Sequence, residues 1–262
     1  MNIQQLKSSK ILVVGDACTD FYHFGRCNRL SPEAPVPIFQ LLRTEKKNGM
    51  AANVAVNLTG LGNEVIGLFN KQKIYKSRYI DEKTKQHLLR VDEGDTEPVK
   101  HITEEMINNM QFSEYDALVI SDYNKGFLSQ REINILLEKA TCPIFVDSKK
   151  SDLSMLKNCF VKINKSEYKK LKKKPNFGNL IVTLGKDGAW WETEDKYFKT
   201  EQTEIFDVCG AGDTFLAAFV TAYLSCENIE KSIIFANKCA AISVKHLGTY
   251  VLKRSDLVDL CI

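Results

Sequence analysis

The stretch Phe206-Asp207-Val208-Cys209-Gly210-Ala211-Gly212-Asp213-Thr214-Phe215 joins two glycines and a carboxylate to the start of an apolar helical repeat. Phe215, Leu216, Phe219, Val220 and Tyr223 recur at helical spacing and predict a helix over about 214–225. Gly210 and Gly212 lack a Cβ, so the backbone can turn its N–H groups toward one point. The helix N-terminus adds unpaired donors and partial positive charge. The pattern suits an anion, most often a phosphate. Asp213 puts a carboxylate at the mouth of that site, where it could take the proton of a hydroxyl attacking a phosphoryl group. The plainer reading is an N-cap, a role Asp often fills. The four residues Gly-Ala-Gly-Asp do not decide between the two.

Other polar residues gather where apolar runs end. Residues 10–15 (Lys-Ile-Leu-Val-Val-Gly) read as a buried strand, and Asp16 and Asp20 follow its carboxyl end. Open α/β sheets bind ligands at that end of their strands. Asp16 could simply serve turn backbone. Residues 48–58 read as a helix beginning near Gly49, with Asn53 and Asn57 four apart on one face. Asn is unfavourable inside a helix, so at least one of the two should have a polar partner. Loops carrying Asp122 and Lys125, Asp147 and Lys149, Asn164 and Glu167, and Gly185 and Gly188 each follow a further short apolar run.

Helical segments between these runs predict an α/β fold, a doubly wound, mostly parallel sheet flanked by helices. Pro32, Pro35 and Pro37 exclude a helix over 21–47, and 36–42 reads as an extended edge strand. Residues 73–80 and 86–91 read as a hairpin around Asp81-Glu82-Lys83. The segments about 21–47 and 73–92 are expected to form a small sheet within a single domain, 1–262.

Hydrophobic content of 44% and charged content of 26% are ordinary for a globular chain of 262 residues. A net charge of +3 gives no global reason to expect nucleic acid, and the lysine-rich run 169–174 reads as a solvated helix end. The N-terminus shows no apolar signal core, and no run approaches a membrane span. The 8 cysteines lack metal or redox spacing, which points to buried free thiols in a reducing cytoplasm.

Several segments together resemble the ribokinase-like carbohydrate kinases. The family signature is echoed by Asp207-Val208-Cys209-Gly210-Ala211-Gly212-Asp213-Thr214. A closer resemblance is to the heptose-7-phosphate kinase domain of bifunctional ADP-heptose synthases. It rests on the runs 28–37 (Asn-Arg-Leu-Ser-Pro-Glu-Ala-Pro-Val-Pro), 49–55 (Gly-Met-Ala-Ala-Asn-Val-Ala), 88–92 (Leu-Leu-Arg-Val-Asp) and 121–126 (Ser-Asp-Tyr-Asn-Lys-Gly), and on Leu247-Gly248-Thr249.

The resemblance implies ATP-dependent phosphorylation of the anomeric hydroxyl of D-glycero-D-manno-heptose 7-phosphate, a step of ADP-heptose biosynthesis for lipopolysaccharide. Asp213 would be the general base, with Gly210, Ala211 and Gly212 as the anion hole. Asp20, Gly49, Asn53, Asp122 and Lys125 would meet the sugar, with Lys149 a further phosphate candidate. Asn164, Glu167, Thr183, Gly185, Gly188, Asn237 and Thr249 would form the nucleotide site. Glu167 would help place Mg²⁺ through water, and Asp207 could bind a monovalent cation. The small sheet would be a lid and a homodimer contact. Acceptors other than the heptose phosphate, and a binding protein without catalysis, are the alternative readings.

The chain departs from those relatives in four ways. Only Asn70-Lys71-Gln72 stands where they carry further structure, and the stretch between Glu167 and Leu180 is short. Met50 takes a usual glycine position beside the sugar, and Cys209 a place often held by Ser or Thr. A partner subunit could cover what the missing segments covered. No His-x-Gly-His element of a nucleotidyltransferase is present.

Overall fold

A computed structural model describes residues 5–96 and 99–258. The chain begins with β1 (Lys10–Gly15), β2 (Ala17–Leu30), β3 (Pro37–Met50), α1 (Ala51–Gly60) and β4 (Glu64–Phe69). It continues through β5 (Tyr75–Asp81), β6 (His87–Glu93), α2 (Glu104–Asn108), β7 (Ala117–Asp122), α3 (Gln130–Lys139) and β8 (Ile144–Ser148). There follow β9 (Lys157–Asn164), α4 (Lys165–Lys170), β10 (Phe177–Thr183), β11 (Ala189–Trp191), β12 (Lys196–Phe198), α5 (Ala211–Cys226) and α6 (Ile229–Ser243).

Among the described residues the strands form two sheets. The larger has the order β12-β11-β10-β9-β8-β7-β1-β4. From β4 to β10 every pairing is parallel, and β11 and β12 close that end as an antiparallel hairpin. Side chains alternate across a strand. In β1, Ile11 and Val13 enter one core with α1, α5 and α6, while Leu12 and Val14 enter the other with α2 and α3. Both faces of the central strands β1 and β7 are covered, which is why these strands read as apolar runs.

The smaller sheet has the order β3-β2-β5-β6 and is wider than the sequence suggests. Instead of one edge strand over 36–42, two strands of 14 residues pair from Ala17↔Met50 to Leu30↔Pro37. Pro32 and Pro35 lie in the turn between them, and Pro37 opens β3, places that do not interrupt a ladder. Met50 ends β3, so α1 starts two residues later than the glycine at 49 implied. Tyr22, Phe24 and Ile80 form a small core in this sheet, with Leu247 packed against it. The sheet thus rests on the loop before Thr249, and Lys47 Nζ donates to the Leu247 carbonyl at 2.9 Å.

The short link after β4 is held by one side chain. Asn70 accepts from the Ala17 N–H at 2.6 Å and donates to the Ala17 and Gln72 carbonyls. It ties the edge strand of the large sheet to the first residue of the small one.

Candidate active site

Asp213 stands in the first turn of α5, directly after Gly210, whose φ of 76° is the left-handed value glycine tolerates. Gly210 is the cap residue, so Asp213 is free for other partners, and those come from two distant elements. Oδ2 accepts from Asn53 Nδ2 of α1 at 2.9 Å, and Oδ1 accepts from the Tyr123 hydroxyl at 2.6 Å. Asn53 is fixed in turn by Asn57 Nδ2, which donates to its side-chain and backbone oxygens, while Asn57 Oδ1 accepts from the Leu252 N–H. Both helix-interior asparagines therefore have partners.

Tyr123 rides on the loop after β7, and Asp16 holds that loop. Its buried carboxylate accepts from the backbone N–H of Tyr123, Lys125 and Phe127 at 2.8, 3.2 and 3.2 Å. The turn-backbone reading of Asp16 is the one the geometry supports.

Burial pushes the Asp213 carboxyl above its ordinary value, against the opposing pull of the Asn53 and Tyr123 bonds and the Lys162 charge. Lys162 projects from β9 with a side chain only 4% exposed, and its Nζ meets Asp147 Oδ2 at 2.6 Å. A Cβ at Gly212 would come within 2.9 Å of that Nζ, so this ammonium lies against the glycine loop. Lys149 bridges Asp147 at 3.1 Å and Glu167 at 2.6 Å. Burial alone would raise the Asp147 carboxyl, but Lys162 and Lys149 outweigh it and hold it below the usual carboxylate value.

These groups surround a polar cavity of about 480 Å³ whose lining includes Tyr123, Lys149, Lys162, Asn164, Gly212 and Asp213. An apolar cavity of about 190 Å³ adjoins it, walled by residues such as Ile205, Ala240, Ala241 and Val244. The two share Gly185 and Val208. A flat apolar group in one and a chain of anions running into the other would fit this pair.

The remaining candidates fall into groups. Thr183 lines the polar cavity, and Ala211 and Asn237 line the apolar one. Asn164 and Glu167 bond each other's backbone N–H as a capping box on α4. Gly188 shapes the β10–β11 turn: its φ is 93° and a Cβ would sit 2.1 Å from the Phe198 carbonyl oxygen. Thr249 is buried behind Gly210 and donates to the Asn48 carbonyl at 3.3 Å. Asp207 accepts from the Cys209 and Gly248 N–H groups, with His87 of β6 3.8 Å away.

Asp20 pairs with buried Arg78 at 2.6 Å, and Gly49 leaves room for that carboxylate. Asp122 and Lys125 are not brought to the cavity. Asp122 is taken by Ser148, Lys150 and the Asn124 N–H, and Lys125 by Asp95 at 2.6 Å. Met50 is buried, with φ 59° and ψ −134°, a conformation suited to glycine and strained for methionine.

Sequence reasoning did not select Tyr123, Lys162, Asp147 or Arg78. Lys162 carried a signal, a lone lysine inside an apolar strand. Tyr123 lies inside the 121–126 run that carries the resemblance, but nothing in that run gives it a role, since its partner is 90 residues away. Among the described residues no cluster of three His, Cys, Asp or Glu is placed to hold a metal, and no helix is long and apolar enough to cross a membrane.

A mostly parallel sheet with a small second sheet, a glycine loop opening a helix, and a buried carboxylate beside lysines define a ribokinase-like phosphotransferase architecture. Comparison with known proteins makes the family definite. The pattern described as pfkB family carbohydrate kinase matches residues 70–255, and the chain belongs to this family. It is 32% identical over 288 residues to the bifunctional protein HldE of a Nitratiruptor species, an alignment covering 91% of this chain and 62% of that relative. The chain thus spans less than two thirds of that protein's length. The alignment is also longer than the chain's 262 residues, so the relative carries segments that this chain lacks.

Two solved structures show the same fold. Phosphofructokinase-2 of Escherichia coli, solved in complex with potassium, gives a TM-score of 0.73 at 17% identity, over 95% of this chain and 96% of that one. The ribokinase of Arabidopsis thaliana, complexed with ribose and ATP, gives 0.67 at 16% identity, over 97% and 100%.

Proposed function

We propose that this chain is an ATP-dependent sugar-phosphate kinase that phosphorylates the anomeric hydroxyl of D-glycero-D-manno-heptose 7-phosphate to the 1,7-bisphosphate. The observation that carries the reaction class is the buried Asp213 carboxylate in the first turn of α5, flanked by the glycine loop and Lys162. The acceptor is supported by the sequence runs shared with heptose-phosphate kinases and by the similarity to HldE.

In this reading the adenine occupies the apolar cavity and the phosphates pass Gly185 into the polar one. The acceptor oxygen attacks the γ-phosphorus and gives its proton to Asp213. The bond from the bridging oxygen to the γ-phosphorus breaks, and ADP carries away the electron pair. Backbone N–H groups of Gly210 and Gly212, with Lys162 and Lys149, would face the charge that develops, whereas the Ala211 N–H donates to the Val208 carbonyl at 3.3 Å and is taken out of the expected anion hole. Asn164 and Glu167 would hold a Mg²⁺ ion brought by the nucleotide, through water. When bound, it would neutralise charge on the β- and γ-phosphate oxygens. Asp207 is the proposed monovalent cation ligand; its two backbone N–H bonds hold it below its ordinary value although burial opposes them.

The chain acts as one domain whose small sheet, 17–50 and 75–93, is the lid. We assign its aromatic face (Phe21, His23, Phe39, Tyr75 and Tyr79) and the exposed Leu41 and Leu89 to contact with a second copy. Met50 favours a second reading, in which the same chemistry serves another acceptor, because its buried side chain stands where α1 begins beside the proposed sugar site.

Substrate identity is tested by ADP release from Mg-ATP with heptose 7-phosphate, sedoheptulose 7-phosphate, fructose 6-phosphate, ribose, fructose and adenosine. Turnover confined to heptose 7-phosphate supports the proposal. Turnover with a different acceptor keeps the mechanism and overturns the substrate.

A further inference from the structure

We propose that Tyr123 is a positioning residue for the base: its phenol O–H, bonded to one Asp213 oxygen while Asn53 bonds the other, holds the carboxylate fixed and ionised. This rests on the reading of Asp213 as general base. The separation of 2.6 Å between the phenol oxygen and Oδ1 is that of a charge-assisted hydrogen bond. Asp213 is 4% exposed, so protein groups replace the water that would otherwise stabilise its charge.

The groups facing this carboxylate come from several elements. Asn53 and Tyr123 donate to it, Lys162 of β9 supplies a positive charge, and Asp147 of β8 supplies a negative one. Lys162 is already paired with Asp147, so the two donors carry much of the stabilisation of the charged form.

Tyr123 is itself held on three sides. Asp16 accepts from its backbone N–H, and the ammonium groups of Lys149 and of Lys76 on β5 lie 5.0 and 5.7 Å from its ring centre. Burial, then the Asp213 charge, pushes its phenol well above the ordinary value, so it stays a donor throughout the working range. The ring touches the base, the proposed phosphate site and the lid at once. Tyr123→Phe would keep the ring contacts and remove only the donor.

The test is a ¹³C titration of the full chain labelled at the aspartate carboxyl carbons, with Asp213→Asn identifying the Asp213 resonance. In Tyr123→Phe the Asp213 midpoint should rise by about one pH unit, a tenfold change in proton affinity. Placing 3-fluorotyrosine at 123, a stronger donor, should move it downward, and this arm also serves if Tyr123→Phe does not fold. An unmoved midpoint in Tyr123→Phe, or in the fluorotyrosine protein where Tyr123→Phe does not fold, overturns the proposal. With a turned-over acceptor, the acid limb of kcat/KM should follow the same shift. Inactive Asp213→Asn with an unmoved Tyr123→Phe midpoint removes the positioning role alone, whereas active Asp213→Asn removes the base itself.

Discussion

Lys162 and Asp147 offer a perturbation in which stability and catalysis part company. Their side chains are 4% and 1% exposed and meet at 2.6 Å. Removing one member of a buried pair strands the other charge and costs about 3–5 kcal/mol. Asp147→Asn should fall in that range, because Lys162 would lose the one carboxylate its Nζ pairs with among the described residues. Lys162→Met should cost less, toward about 3 kcal/mol, because Lys149 still reaches Asp147 at 3.1 Å. Replacing both by apolar residues (Asp147→Leu with Lys162→Met) should restore most of the loss, since such exchanges are often neutral or better.

Turnover should not return with stability. Lys162 lies against the glycine loop, and loss of one such charge-stabilising group costs about 10²–10³ in kcat. Urea unfolding of the four proteins gives their stabilities, and ADP release under saturating Mg-ATP gives the rates. The wild type should also show an acid-sensitive share of stability that the double variant lacks. Asp147 has a lowered folded pKa, so its contribution is present above the unfolded value of about 3.9 and is lost as pH falls through the lower folded value. A double variant with turnover near wild type would refute the placing of Lys162 at the transferred group. A single-variant cost under about 1 kcal/mol would refute the buried pair.

Gly210→Ala should destabilise by about 1–2 kcal/mol from its left-handed φ, and should lower kcat because the new Cβ meets Asn53 Nδ2 at 2.8 Å; thermal melts and rates check this. Ala241→Trp should fill the 190 Å³ apolar cavity and weaken ATP binding at least tenfold in calorimetry, while unchanged affinity would remove the adenine from that cavity. Leu89→Glu, on a lid residue 57% exposed, should shift sedimentation from dimer to monomer without lowering the melting temperature, and an unshifted dimer would place the interface elsewhere.

The central strands of the large sheet were legible because their two covered faces demand runs of apolar side chains, as in β1 and β7, with Lys162 of β9 an exception. β1 and β4 begin and end where their apolar runs do. β2 was not, because both of its faces carry rings: Tyr22 and Phe24 point into the lid core, while Phe21 and His23 stack on the other side. A period of two is invisible when both alternating positions are aromatic. Asp213 and Asn53 were legible as a carboxylate beside glycines and a misplaced helix asparagine. Charges in strand-end loops were harder. Asp122 and Lys125 look like ligand contacts until Lys150 and Asp95 are seen to occupy them, and Lys149, a phosphate candidate by its loop position, is seen to be held by Asp147 and Glu167 at the cavity wall. Which polar group meets a ligand and which meets its own protein depends on long-range contacts that spacing does not encode.

The central claim is that Asp213 takes the acceptor's proton during phosphoryl transfer. It is tested most directly by ADP release from Mg-ATP with heptose 7-phosphate, wild type against Asp213→Asn, with ATP affinity of both measured by calorimetry. In Asp213→Asn kcat should fall by about 10²–10⁴, with ATP affinity changed less than about threefold, because a positioned base contributes that much and the buried amide cannot replace it. An Asp213→Asn protein that turns over within tenfold of wild type would contradict it.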